Sequence, residues 1–198
     1  MNHVRPGEDG SSVIILDQSL LPNEEKYIEL SEPEEMYEAI EKLRVRGAPA
    51  IGIFAGYAMA ALAKQNENAE PQEFMDRLHR LGEYLKASRP TAVNLAWAVD
   101  RVMKAAGNDA GPGKPAERMR QEARAIHEED KKMCRAIAEY GLSLVKDGDG
   151  ILTHCNAGPL ATSEYGTALG PILLGTERGM NFRVFADETR PLLQGARL

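Results

Sequence analysis

Cys155 ends a short apolar run, Ile151-Leu152-Thr153-His154, and directly precedes Asn156-Ala157-Gly158-Pro159, a run with turn chemistry. If the apolar run is a parallel strand, the thiol lies at the carboxyl edge of a sheet, where open α/β folds bind their ligands. A helix N-terminus beyond the turn would lower the thiol pKa and make Cys155 reactive. The alternative for Cys155 is a small buried apolar side chain. His154 is its neighbour in sequence, but successive strand residues face opposite ways, so His154 is a poor base for this thiol. Cys134 falls among charged residues and reads as structural.

Two arginines stand just ahead of helix starts, in Arg46-Gly47-Ala48-Pro49 and in Ser88-Arg89-Pro90-Thr91. Free N–H groups at a helix start, joined by a guanidinium, suit a phosphate, and Gly47 would let the backbone approach it closely. Together they make a phosphorylated ligand plausible; separately each is an ordinary surface arginine. Asp187 and Glu188 offer acid/base groups, or else a cap or an ion pair with Arg190. No dinucleotide fingerprint, P-loop or zinc-hydrolase motif is present in the sequence.

The elements that must place these groups are legible from pattern. Val13–Leu16 and Tyr27–Leu30 read as a hairpin. Ser31-Glu32-Pro33 opens a helix running to about Arg44, with Ser31 as its cap and Met36, Ile40 and Leu43 inward. Further helices are expected from Pro49, over Pro71–Lys86, with Phe74, Leu78, Leu81 and Leu85 on one stripe, and over Thr91–Lys104, carrying Val93, Trp97 and Val102. Gly52 and Gly56 share a face of the second helix and suit close helix packing. After a Gly-rich loop between Ala105 and Pro115, a long charged helix spans 116–145, with Ile126, Met133, Ile137 and Leu144 as its buried positions. The buried strand 151–154, a crossover helix over 160–174 and the strand Arg183–Asp187 then form a β-α-β unit.

The expected fold is therefore α/β. A small hairpin plus a helical domain occupies 1–146, and an incomplete Rossmann-like unit occupies 147–198, since two parallel strands bury too little to stand alone. The 198 residues are 43% hydrophobic and 27% charged, which is globular composition. A net charge of −6 with 6% aromatic residues argues against a nucleic-acid partner. The longest uncharged stretch, Gly47 to Ala63, is too short for a bilayer span, and the N-terminus has no signal-peptide pattern. Two cysteines without knuckle spacing indicate neither a disulfide framework nor a zinc site, and fit a reducing cytoplasm.

Several motifs, in order, resemble the S-methyl-5-thioribose-1-phosphate isomerase family: Val45-Arg46-Gly47-Ala48-Pro49-Ala50-Ile51-Gly52, Ser88-Arg89-Pro90-Thr91, Leu152-Thr153-His154-Cys155-Asn156-Ala157-Gly158, Tyr165-Gly166-Thr167 and Asp187-Glu188-Thr189-Arg190-Pro191-Leu192-Leu193-Gln194-Gly195. Asp17-Gln18 to Pro22 shares the likeness, which covers essentially the whole chain. The family sits in a superfamily with ribose-1,5-bisphosphate isomerase and the regulatory subunits of the exchange factor for translation initiation factor 2. The resemblance implies Cys155 as the catalytic residue and Arg46, Gly47, Ala48, Arg89 and Gln194 as substrate-binding. It implies conversion of an aldose 1-phosphate to the ketose 1-phosphate in methionine salvage, with no metal or organic cofactor, by a homodimer. A 5-deoxyribose 1-phosphate or ribose 1,5-bisphosphate substrate, or a non-catalytic subunit, are the alternatives. The family's catalytic aspartate and an Asn-Lys pair lie farther along than Leu198, so the resemblance implies a truncated chain with little activity alone.

Overall fold

The computed structural model describes residues 3–107, 114–190 and 193–197. Three short antiparallel strands, β1 (Val4–Pro6), β2 (Val13–Leu16) and β3 (Tyr27–Leu30), form a sheet in the order β1-β2-β3. The expected hairpin is the β2–β3 pair, with Val13 opposite Leu30 and Leu16 opposite Tyr27. Strand β1 was not expected, because its Val-Arg-Pro run is too short to show alternation. The β2 side chains Val13, Ile15 and Leu16 are fully buried.

Five helices follow: α1 (Pro33–Glu41), α2 (Ala48–Gln65), α3 (Pro71–Ala87), α4 (Val93–Gly107) and α5 (Pro115–Leu142). The cap of α1 is Glu32, not Ser31. The Glu35 carboxylate accepts the N–H groups of both residues, which fixes the start one position later. Helix α1 also stops before Leu43, whose left-handed backbone (φ 58°) turns the chain toward Arg46. Helix α2 is apolar on all sides and is the centre of the larger core, with α3, α4 and α5 packed around it. Gly52 lies against the Asn94 backbone of α4 and Gly56 against Ala123 and Ile126 of α5, so the two glycines serve different neighbours.

Several large apolar side chains face solvent, Met133 and Leu144 among them against expectation. Val93 is 78% exposed and Trp97 46%, the indole lying under the Arg101 guanidinium, one turn along the outer face of α4. Met133 and Leu144 are exposed as well, while Ile126 is buried and Ile137 partly so. Periodicity marks an apolar stripe without saying whether a partner covers it. The Gly-rich loop lies mostly outside the described residues.

The last part of the chain holds β4 (Gly150–His154), α6 (Gly170–Glu177) and β5 (Arg183–Asp187), with β4 and β5 parallel as expected and Gly150 opposite Arg183. The crossover helix is much shorter than expected. Residues 162–169 form a loop after a 3-10 turn at Pro159–Ala161, and the Ala157 carbonyl accepts the N–H groups of Thr167 and Leu169. The strand expected to be buried is half open: Thr153 is buried, but Leu152, Val184 and Phe185 are exposed. A second, smaller apolar cluster joins this region to the end of α5 through Ala138, Leu142 and Leu174. Cys134 is buried in α5. Among the described residues, no helix is long and apolar enough to cross a membrane.

Candidate functional site

The sequence signals separated by most of the chain meet at one cavity of about 240 Å³. Its lining includes Arg46, Gly47, Arg89, Cys155 and Gln194, together with Gln18, Leu43, Asn156, Leu160 and Ala161. Ala48, the first residue of α2, is exposed beside the cavity but is not part of the lining.

One wall is the turn into α2. Gly47 is the N-cap of that helix, with φ 94°, and its carbonyl accepts the first helical bond, from Ile51. A side chain there would collide with the opposite wall, since a Cβ on Gly47 would sit 2.5 Å from the Ala161 Cα. Both the left-handed backbone and the lack of room require glycine. The free N–H groups of the first turn of α2, with Arg46 and Arg89, give this end of the cavity the character of an anion site. Among the described residues, Arg89 has no carboxylate partner.

The facing wall is the segment after β4. Cys155 has φ 66°, a left-handed backbone that a non-glycine residue adopts at a cost of roughly 1–2 kcal/mol. Such strain is kept where the surrounding fold holds a side chain in place. Asn156 closes an Asx turn by accepting the Gly158 N–H at 3.2 Å. The α-helix start expected just after Cys155 is absent, because Pro159–Ala161 makes only a 3-10 turn and α6 begins at Gly170. The helix terminus that serves the cavity is instead that of α2. His154 does point away, as expected: it is exposed, with Nδ1 3.7 Å from the Asp187 carboxylate.

Gln194 is held by the segment that leaves β5. The Thr189 hydroxyl accepts its N–H at 3.2 Å, and the Glu188 carboxylate accepts the N–H groups of Gly195 and Ala196 at 2.8 and 3.0 Å. Glu188 therefore caps the short turn at Gly195–Arg197, which is the expected capping role with a different partner from Arg190.

The floor comes from a segment to which sequence reasoning gave no role. Asp17 is buried and paired with Arg44, and its carboxylate also accepts the Ser19 hydroxyl and N–H. Burial pushes the Asp17 carboxyl up, but the hydrogen bonds from Ser19 and Arg44 outweigh it and hold it below the usual range. Gln18, 2% exposed, reaches the Leu160 carbonyl with its side-chain amide at 2.8 Å. The available signal was a polar Asp-Gln pair directly after a fully apolar strand.

A family model described as the initiation factor 2 subunit family matches residues 44–198. The chain belongs to that family. Among its relatives, a methylthioribose-1-phosphate isomerase of Symbiobacterium thermophilum is 56% identical over 191 residues, covering 96% of this chain and 53% of that protein. A 5-deoxyribose 1-phosphate isomerase of Petrotoga mobilis is 51% identical, covering 98% of this chain and 57% of that protein. The crystal structure of translation initiation factor eIF-2B subunit delta from A. fulgidus superposes with a TM-score of 0.90 at 39% identity, over all of this chain and 57% of that one. This member of the initiation factor 2 subunit family thus spans about half the length of the curated relatives it matches.

Proposed function

We propose that the chain carries the phosphate-binding and thiol-bearing side of an aldose–ketose isomerase that converts S-methyl-5-thioribose 1-phosphate to the ribulose 1-phosphate. The observation that carries this reading is the single cavity that Arg46, Gly47, Arg89, Cys155 and Gln194 share, although they come from segments far apart in sequence. The names of the relatives point the same way. In this reading the phosphate lies at the start of α2 against Arg46 and Arg89, and the sugar extends toward Cys155 and Gln194.

The reaction is internal and redox-neutral. The C1–ring-oxygen bond breaks, the C2 hydrogen moves to C1, the C2 hydroxyl becomes the ketone, and its proton ends on the released ring oxygen. Cys155 acts at the reacting carbons as acid/base or as stabiliser of the developing charge. No outside oxidant or reductant enters, so the reaction calls for no redox cofactor. We place the protein in a reducing cytoplasm, in keeping with two free thiols, in methionine salvage and as a homodimer. We also read 1–146 and 147–198 as separate domains, the second packed on the end of α5 through the smaller apolar cluster.

A 5-deoxyribose 1-phosphate substrate is the second reading, favoured by the Petrotoga relative's name. A non-catalytic subunit is the third, favoured by the A. fulgidus structure. Calorimetric titration with 5-methylthioribose 1-phosphate, 5-deoxyribose 1-phosphate and ribose 1,5-bisphosphate separates them. The expected result is tightest binding of the first, lost in Arg89→Ala. Preference for another sugar moves the assignment to it. Absence of binding by all three, with capture of an exchange-factor complex, supports the non-catalytic subunit.

A further inference from the structure

Gln18 follows the buried end of β2 and has a foot on each wall of the cavity. Its backbone N–H donates to the Arg44 carbonyl at 3.0 Å, two residues before Arg46. Its side-chain Nε2 donates to the Leu160 carbonyl at 2.8 Å, five residues beyond Cys155 and 142 residues away in sequence. Asp17 reinforces the first attachment by pairing with the Arg44 side chain. The two walls are in contact at Gly47 and Ala161, so there is no slack for the loop to take up if the tie is lost. Among the described residues the Gln18 Oε1 accepts no hydrogen bond, and the side chain borders the cavity.

We propose that Gln18 is a positioning residue that ties the Arg44–Gly47 turn to the 156–161 loop and so sets the spacing between the anion-binding end of the cavity and the Cys155 thiol. A glutamine suits the task because its amide donates to the Leu160 carbonyl in a partly buried hydrogen bond, and among the described residues no backbone N–H takes that carbonyl instead. The importance of that spacing rests on Cys155 being the reacting group; the tie itself does not.

The chain carries its own reporter, since Cys155 is half-buried at the site and Cys134 is buried in α5. Iodoacetamide labelling of the two thiols, resolved by peptide mass spectrometry, is compared in wild type, Gln18→Leu and Gln18→Glu. Leucine removes both amide groups at similar volume, and glutamate keeps the shape but turns an oxygen toward the Leu160 carbonyl. The expected result is a rise of about fivefold in Cys155 labelling in Gln18→Leu, the equivalent of one lost buried hydrogen bond, and at least as much in Gln18→Glu, with Cys134 unchanged. Unchanged Cys155 labelling in both variants overturns the proposal. A rise in Cys134 labelling in step with Cys155 also overturns it, since that marks general loosening. Inorganic phosphate and 5-methylthioribose 1-phosphate are then added as protectants. Failure of either to slow Cys155 labelling in wild type counts against the isomerase reading alone, because the tie is decided by the ligand-free rates.

Discussion

Gly47 and Ala161 touch across the cavity with no space for a side chain between them, an ideal Cβ on Gly47 lying 2.5 Å from the Ala161 Cα and 2.7 Å from its carbonyl oxygen. The contact fixes how closely the start of α2 approaches the loop after Cys155. Gly47→Ala would meet both a steric overlap with backbone and a left-handed φ, at a combined cost of roughly 2–4 kcal/mol. A lower urea midpoint with an unchanged slope is the expected measurement, together with weaker phosphate binding. An unshifted midpoint would mean that the two walls separate freely.

Cys155 pairs a strained backbone with a position on the cavity wall, and two substitutions separate these features. Cys155→Ser keeps the backbone requirement and is expected to stay within about 0.5 kcal/mol of wild-type stability. It should abolish turnover in any form of the protein that isomerises the sugar phosphate. Cys155→Gly removes the cost of the left-handed φ and should gain about 1 kcal/mol in urea denaturation, also without turnover. Full turnover in Cys155→Ser would leave the thiol as a small apolar wall residue.

How much of this was legible beforehand follows physical lines. Arg46, Gly47, Arg89, Cys155 and Gln194 could be singled out because they sit in local motifs, and local motifs survive in one dimension. Gln18 lies in the Asp17-Gln18 to Pro22 segment that shares the family likeness, but its role was not legible, since its tie to Leu160 bridges two segments that only the fold brings together. The helices α3 to α5 are legible from apolar spacing to within a few residues, yet Met133 and Leu144, expected inside, face solvent, because spacing gives a face and not its cover. The segment 160–169 read as helix, but Gly166 has φ 81° and the Ala157 carbonyl draws Thr167 and Leu169 back into a loop. Leu152 and its pair Phe185 on one face of the sheet, and Val184 on the other, read as buried by composition and stand open.

The Asp17–Arg44 pair gives the acid limb of stability a specific source. Because hydrogen bonds hold the folded Asp17 pKa below that of the unfolded chain, its contribution is complete above about pH 4 and is lost as pH falls through the lowered folded value. Asp17→Asn should cost about 2 kcal/mol at neutral pH, less than a fully buried pair because Arg44 is partly exposed and retains Glu38. The loss of stability between pH 4 and 2 should be shallower in the variant. Thermal melts across that range test both effects, and parallel acid limbs for the two proteins would remove Asp17 as the source.

His127 governs a different pH window. It is buried between α2 and α5, with Nδ1 2.9 Å from the Tyr57 hydroxyl. Burial, helped by Lys131, lowers its pKa despite the opposing charges of Glu128 and Asp130, and the same burial pushes the Tyr57 hydroxyl up to about 12. The neutral imidazole is therefore the form that the fold accommodates. A lowered folded pKa means that the unfolded chain binds the proton first as pH drops. Stability should fall from about pH 6.5 downward and level off only below the folded value, at no more than about 1.4 kcal/mol per pH unit for one proton. His127→Gln keeps an amide for Tyr57 but does not titrate, so it should lose about 1 kcal/mol at pH 8 and remove one proton's worth of slope between pH 6.5 and 5. Because His3, His79 and His154 remain in both proteins, the difference between their stability curves isolates His127. Identical slopes over that interval would show that the folded protein takes up the proton at His127 as readily as the unfolded chain does.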